Sequence, residues 1–286
     1  MDATKGNIYA ILNGNKQFLI PVYQRYYSWE IEQCSRLWND IVDMQKKGKV
    51  GHFVGSIVNI AEQAMPTGVQ KYMIIDGQQR LTTLSLLLIA LRDYAEAHPE
   101  NTTINFRRID NMLLKNEYED GDDRYKLLLT ETDRDLLISL VEKKPIKDPG
   151  QSRILKNYKF FSDKIMNMEL KPAEIYEAIG KLQIVNITLD RNVDDAQAIF
   201  ESLNSTGKEL SESDLIRNYV LMGLEPKEQN YVYEHLWRPM ELLFDYEKQD
   251  TTMDRFFRDY LTMKMARIPK IDRVYETFKT YHVNRG

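Results

Sequence analysis

Apolar residues along this 286-residue chain alternate between short β-branched runs and longer stretches at helical spacing, and each change of period marks an element. Residues 53–60 (FVGSIVNI) are rich in β-branched side chains and predict a strand. The turn cluster at 64–68 (AMPTG) and a second run at 71–75 (KYMII) follow, so the two runs predict a hairpin. Residues 81–97 are apolar on nearly every side, the signature of a central buried helix. Upstream, 6–12 predicts a short amphipathic helix, and 18–23 predicts a strand broken by Pro21. A helix over 29–47, capped by Ser28, carries Ile31, Leu37, Trp38, Ile41 and Val42 on one face.

The middle third, 104–182, is charged and helix-rich, with breaks at Gly121-Asp122-Asp123 and at 147–150 (KDPG). Residues 184–189 (IVNITL) predict a return to the sheet, followed by a helix capped by Asp194 or Asp195 and running to 203. After the loop 204–208, Ser211 and Asp214 have capping-box spacing for a helix ending near Gly223, and everything after Pro226 patterns as helix. The expected organisation is a core over 1–103, a helical insertion over 104–182, a return to the core over 183–225 and a helical part over 226–286. The fold class is therefore α/β (α+β, helix-rich), a small mixed sheet with a large helical part.

Composition narrows the function classes. Hydrophobic residues at 43% and charged residues at 29% describe a globular chain, and the net charge of −4 argues against a broadly nucleic-acid-coating surface. The single cysteine, Cys34, excludes an intrachain disulfide and fits a reducing compartment. The first residues lack the basic and apolar regions of a signal peptide, and the longest apolar stretch, 84–91, is too short to span a bilayer, so a cytoplasmic location without membrane association is expected. Residues 281–286 end without a stop signal, as expected of a piece of a longer protein. The four histidines show no metal-ligand spacing, and no Walker A pattern or nucleophile elbow is present.

Three patches carry candidate chemistry. The strongest lies in 72–84 (YMIIDGQQRLTTL), where an apolar strand breaks into a polar turn that opens directly onto the buried helix. Such a turn aims backbone N–H groups and the positive end of a helix dipole at one spot, which suits phosphate. Asp76 could hold Mg²⁺ or cap the helix, and Gly77 admits close backbone approach. Gln78 and Gln79 could bond a phosphate or orient a water, Arg80 could neutralise charge, and Thr82 and Thr83 offer hydroxyls. The second patch, 20–29 (IPVYQRYYSW), surrounds Gln24 and Arg25 with Tyr23, Tyr26, Tyr27 and Trp29, a cation for phosphate among rings that could stack on a base. The third, 199–210 (IFESLNSTGKEL), offers Asn204 and Lys208 as ligand contacts and Glu201 as a base or metal ligand. An ordinary helix cap, packed aromatics and a helix–helix turn at Gly207 are the competing structural readings.

In this order, IPVYQRYYSW, HFVGSIV, IIDGQQRLTTL and FESLNSTGKELSESDLI resemble the N-terminal domain of GmrSD-type, modification-dependent restriction proteins, over roughly 5–225. That domain looks like a relative of the ParB/sulfiredoxin fold. The resemblance implies NTP binding and hydrolysis with Mg²⁺ in antiphage DNA restriction. Its motifs fall on Asp76, Gly77, Gln78, Gln79 and Arg80, on Gln24 and Arg25, on Gly55 and Ser56, and on Glu201, Asn204 and Gly207. It also implies an HNH-type nuclease domain or partner chain acting on modified DNA, since this chain has no matching His-rich segment; a homo-oligomer is left open. Sulfinic-acid reductase chemistry does not follow, because Cys34 lies outside the phosphate-loop motif. Two rivals stand beside the NTPase: a module that senses DNA modification and uses nucleotide only as a switch, and a ParB-like nuclease.

Overall fold

The chain opens on a strand that its polar sequence conceals. β1 (Asp2–Asn7) forms because it pairs antiparallel with a β-branched run far along the chain, Asp2 opposite Thr188. The remaining strands are β2 (Lys16–Leu19), β3 (His52–Ala61), β4 (Gln70–Asp76), β5 (Leu127–Leu128) and β6 (Leu182–Leu189). They build one mixed sheet in the order β1-β6-β3-β4-β2-β5. The expected hairpin is present as the antiparallel pair β3–β4, whereas β6 runs parallel to β3, and β2 parallel to both β4 and β5. The structure, a computed structural model, describes residues 1–62, 68–146, 152–191, 193–204, 210–244 and 249–284.

The chain divides into two compact units: Met1–Pro21 with Tyr26–Asp194, and Val22–Arg25 with Asp195–Gly286. In the first unit the helices are α1 (Ile8–Leu12), α2 (Ile31–Lys46), α3 (Gln78–Ala97), α4 (Phe106–Ile109), α5 (Glu131–Val141), α6 (Arg153–Met166) and α7 (Pro172–Lys181). The core forms around α3, whose Leu81, Leu84, Leu87, Leu88 and Leu91 are wholly buried together with Ile57 and Ile74 of the sheet. α3 packs against α6, and α2 packs against α6 and α7. Each such leucine contributes about 2 kcal/mol through burial, so the helix that carries the polar turn is also the unit's main anchor.

The second unit is helical: α8 (Ala196–Asn204), α9 (Glu212–Met222), α10 (Pro226–Val232), α11 (Arg238–Glu241), α12 (Gln249–Met265) and α13 (Val274–Val283). Its core gathers Ile216, Leu221, Trp237, Phe257, Leu261 and Val274 with Tyr23. The buried Arg217 donates to Asp214 Oδ1 and Glu241 Oε1, each at 2.6 Å, and to the Tyr23 carbonyl at 2.8 Å. The return to the core expected over 183–225 therefore covers β6, while the chain from Asp195 packs in the second unit. Among the described residues no helix is long and apolar enough to cross a membrane.

Several boundaries differ from expectation for local reasons. The helix expected from residue 6 starts at Ile8, because residues 2–7 pair in the sheet and Asn7 Oδ1 caps Ala10 N at 2.9 Å. The strand expected over 18–23 lies at Lys16–Leu19, ahead of Pro21. Ser28 does not cap α2: its N–H bonds Gln79, and the helix begins after Glu30, whose N–H donates to Gln33 Oε1. Asp76 does not cap α3; Gly77 holds that position. β5 was hidden in the charged middle third because a two-residue strand has no readable period. Asp195 caps α8 through Ala198 N, and Ser211 caps α9 through Asp214 N, as the spacing predicts.

Candidate functional site

The turn between β4 and α3 is built by two glycines. Gly77 has φ +92°, which L side chains rarely adopt, and a Cβ there would lie 2.9 Å from Ser56 O and 3.1 Å from Ile57 Cα. The strand-to-helix reversal therefore presses directly on the β3 backbone. Gly55, at φ +113°, sits where β3 slips register against β6. A Cβ on Gly55 would lie 2.6 Å from Arg80 Nη2 and 2.7 Å from its Cζ. The missing side chain lets the guanidinium lie against the strand, where Nη1 donates to Ser56 O. Asp76, Gly77, Gln78 and Arg80 are thus brought together with Gly55 and Ser56 inside the first unit.

Electrostatics favour an anion here. Burial lowers the pKa of the half-buried Arg80, against the opposing pull of the Asp76 charge. A guanidinium titrates so high that it stays charged regardless. Among the described residues, Arg80 has no carboxylate ion pair, and its only hydrogen bond is the one to Ser56 O. No other acceptor for its N–H groups is found among the described residues. Among the described residues no side chain caps the start of α3, so its first-turn N–H groups lack the usual side-chain acceptor there.

The neighbouring motif residues divide. Gln79 is nearly buried, and its amide bonds backbone: Oε1 accepts from Ser28 N at 2.8 Å and Trp29 N at 3.3 Å, and Nε2 donates to Tyr26 O at 3.2 Å. Thr83 is wholly buried, with its hydroxyl 2.7 Å from Tyr27 OH and 2.8 Å from Gln79 O. Gln78 opens the first turn of α3 and Thr82 follows directly after that turn, both largely buried.

The third patch belongs to the second unit, and the second patch is divided: 22–25 belong to the second unit, 20–21 and 26–29 to the first. Gln24 is buried and Arg25 half-buried in the second unit. Tyr23 (1% exposed) and Tyr27 (5%) are core residues, so neither ring can stack on a base. Glu201 accepts from Tyr275 OH, from Gln197 Nε2 at 2.9 Å and from Lys279 Nζ at 2.9 Å. Burial pushes its pKa up, but these bonds outweigh burial and hold it below the usual carboxylate range. Asn204 ends α8, and its side chain lies outside the described residues, as do Lys208 and Gly207.

Residues that sequence reasoning missed support the turn from a distance. Asp133 Oδ2 accepts from Tyr27 N at 2.7 Å, and burial raises its pKa to about 6. Asn157 donates to Trp29 O at 2.8 Å and to Tyr27 OH at 2.9 Å. Separations of 106 and 128 residues leave no local signal for either. Cys34 is buried with its thiol pushed up to about 11, which disfavours the thiolate. Among the described residues no group of three His, Cys, Asp or Glu could hold a metal ion.

A family model describing the GmrSD restriction endonuclease, N-terminal domain, matches residues 8–221. The match takes in the β4–α3 turn and ends within α9. No curated protein matches the chain.

Proposed function

Since the chain belongs to the family of GmrSD restriction endonuclease N-terminal domains, and so is a component of a restriction system, we propose that it binds and hydrolyses a nucleoside triphosphate at the turn from β4 to α3. The triphosphate lies against Gly77 and the first turn of α3, and the N–H donors of Arg80 take phosphate oxygens. The observation that carries this reading is Arg80 itself, a cation seated in the space left by Gly55, with one N–H bonded to Ser56 O and, among the described residues, no carboxylate in an ion pair with it.

Mg²⁺ fits a single carboxylate here, because it is ordinarily held by one or two carboxylates together with the substrate's own phosphates. Asp76 would hold it, directly or through water, and the ion would neutralise phosphate charge. Gln78 orients the attacking water from the residue after Gly77, and the Gln79 amide holds backbone. Thr82, directly after the first turn and buried, would reach the phosphates only through its hydroxyl. Arg25, Gln24 and Glu201 belong to the second unit; the Glu201 carboxylate is held ionised by Tyr275 and Lys279, which suits a charge anchor better than a proton acceptor. Hydrolysis in turn licenses an HNH-type nuclease domain or partner chain to cut modified DNA.

Equilibrium titration of ATP, GTP, CTP and UTP with Mg²⁺ tests the site. The parent should bind at least one of them, and Arg80→Ala should weaken that binding by roughly tenfold or more, the loss of a charge-assisted bond. Equal affinity in the two proteins would remove Arg80 from the site.

A further inference from the structure

A directed hydrogen-bond relay runs from α6 to the start of α3. Thr83 Oγ1 lies 2.8 Å from Gln79 O, a carbonyl that can only accept, so the single hydroxyl proton of Thr83 points there. Tyr27 OH, 2.7 Å from Thr83 Oγ1, must then be the donor in that pair. Tyr27 OH in turn accepts from Asn157 Nδ2 at 2.9 Å. The order is Asn157 to Tyr27 to Thr83 to the Gln79 carbonyl, with each hydroxyl donating once; Cys34 Sγ also lies 3.8 Å from Tyr27 OH and, with that proton committed to Thr83, is the donor of the pair. All of these residues lie in the first unit.

The same segment is also held through its backbone. Tyr26 O, Ser28 N and Trp29 N bond the Gln79 amide, Tyr27 N bonds Asp133, and Trp29 O bonds Asn157. Residues 26–29 have no regular secondary structure, so side chains from α3, α5 and α6 replace a ladder. Among the described residues the first turn of α3 has no side-chain cap, and Gly77 before it has no side chain. The relay and the Gln79 amide therefore tie that turn to residues 26–29, one residue from Arg80.

We propose that Tyr27, Gln79 and Thr83 are positioning residues that set the direction of the Arg80 turn, and that none of them touches the nucleotide or its attacking water. This inference rests on the triphosphate reading of the turn. It turns two residues of the polar motif, Gln79 and Thr83, from ligand contacts into scaffold.

Tyr27→Phe removes one buried hydroxyl and keeps the ring, so the unit should still fold, as a thermal melt would check. Two readouts follow: affinity for inorganic tripolyphosphate with Mg²⁺, and amide hydrogen exchange at Leu81, Thr82 and Thr83. The variant should bind tripolyphosphate roughly two- to thirtyfold more weakly, the range seen for substitutions along coupled networks, and should exchange faster at those amides. Gln79→Glu keeps the acceptors for Ser28 N and Trp29 N, so it should fall between the parent and Gln79→Ala in both readouts. Unchanged exchange in Tyr27→Phe overturns the relay. Faster exchange with parental affinity overturns the positioning role, as does a Gln79→Ala protein that loses kcat while keeping parental affinity. If the parent itself fails to bind tripolyphosphate, the triphosphate reading fails, and the exchange result alone still decides whether residues 26–29 hold the turn.

Discussion

Gly55→Ala moves Arg80 without removing it. An alanine Cβ at this position meets Nη2 at 2.6 Å, Cζ at 2.7 Å and Nε at 3.0 Å, all closer than real Cβ atoms tolerate. The group that yields is the far end of a flexible side chain, so the guanidinium swings off the strand and its bond to Ser56 O breaks. Holding an alanine at φ +113° costs about 1–3 kcal/mol of backbone strain. That penalty is modest for a unit anchored by the buried leucines of α3. Binding should suffer more than folding: one charge-assisted bond is worth about 1.5–3 kcal/mol, or roughly ten- to a hundredfold in Kd. Urea denaturation gives the first quantity, and calorimetric titration with a Mg²⁺–triphosphate gives the second. The variant should match Arg80→Ala in affinity while remaining folded. A folded Gly55→Ala protein with parental affinity would refute the idea that the β3 bulge exists to seat the guanidinium.

Gly77→Ala should be the harsher change, because its Cβ meets backbone at Ser56 O and Ile57 Cα; a loss of about 3 kcal/mol or more is expected from thermal unfolding, with strain and clash adding. Arg217→Ala removes the guanidinium from the buried carboxylates of Asp214 and Glu241 and should destabilise the second unit by about 3–5 kcal/mol, read by limited proteolysis of that unit. Asp133 binds its proton more tightly folded (about 6) than unfolded, so its contribution to stability is complete near pH 4 and is lost as pH rises through 6. Asp133→Asn keeps an acceptor for Tyr27 N. It should equal the parent near pH 4 and exceed it at pH 8 by at most about 3 kcal/mol in urea midpoint analysis, and a gap that does not grow with pH would contradict this.

What the sequence made legible follows from the range of the forces involved. The hairpin of β3 and β4 and the buried helix α3 were readable because their periods are set by local side-chain spacing. The polar turn was readable because Asp76 to Arg80 interrupts an apolar run where packing asks for nothing polar. β1 was not, since DATKGN becomes a strand only through β6, whose Thr188 lies opposite Asp2. The division of labour within the motif was equally hidden. Gln78 and Gln79 are the same residue type side by side, and only the position of residues 26–29 shows that the Gln79 amide bonds their backbone. The seat of Arg80 on Gly55 joins residues 25 apart through a bulge that no periodicity encodes.

The central claim is that Arg80 and its turn bind a triphosphate that this chain hydrolyses. Phosphate release from each NTP in the presence of Mg²⁺, measured for the parent and for Arg80→Ala, tests it most directly. The account predicts Mg²⁺-dependent release by the parent and a loss of roughly tenfold or more in kcat/KM for the variant. Release by Arg80→Ala at the parental rate, or none by the parent with any NTP despite binding, would contradict it.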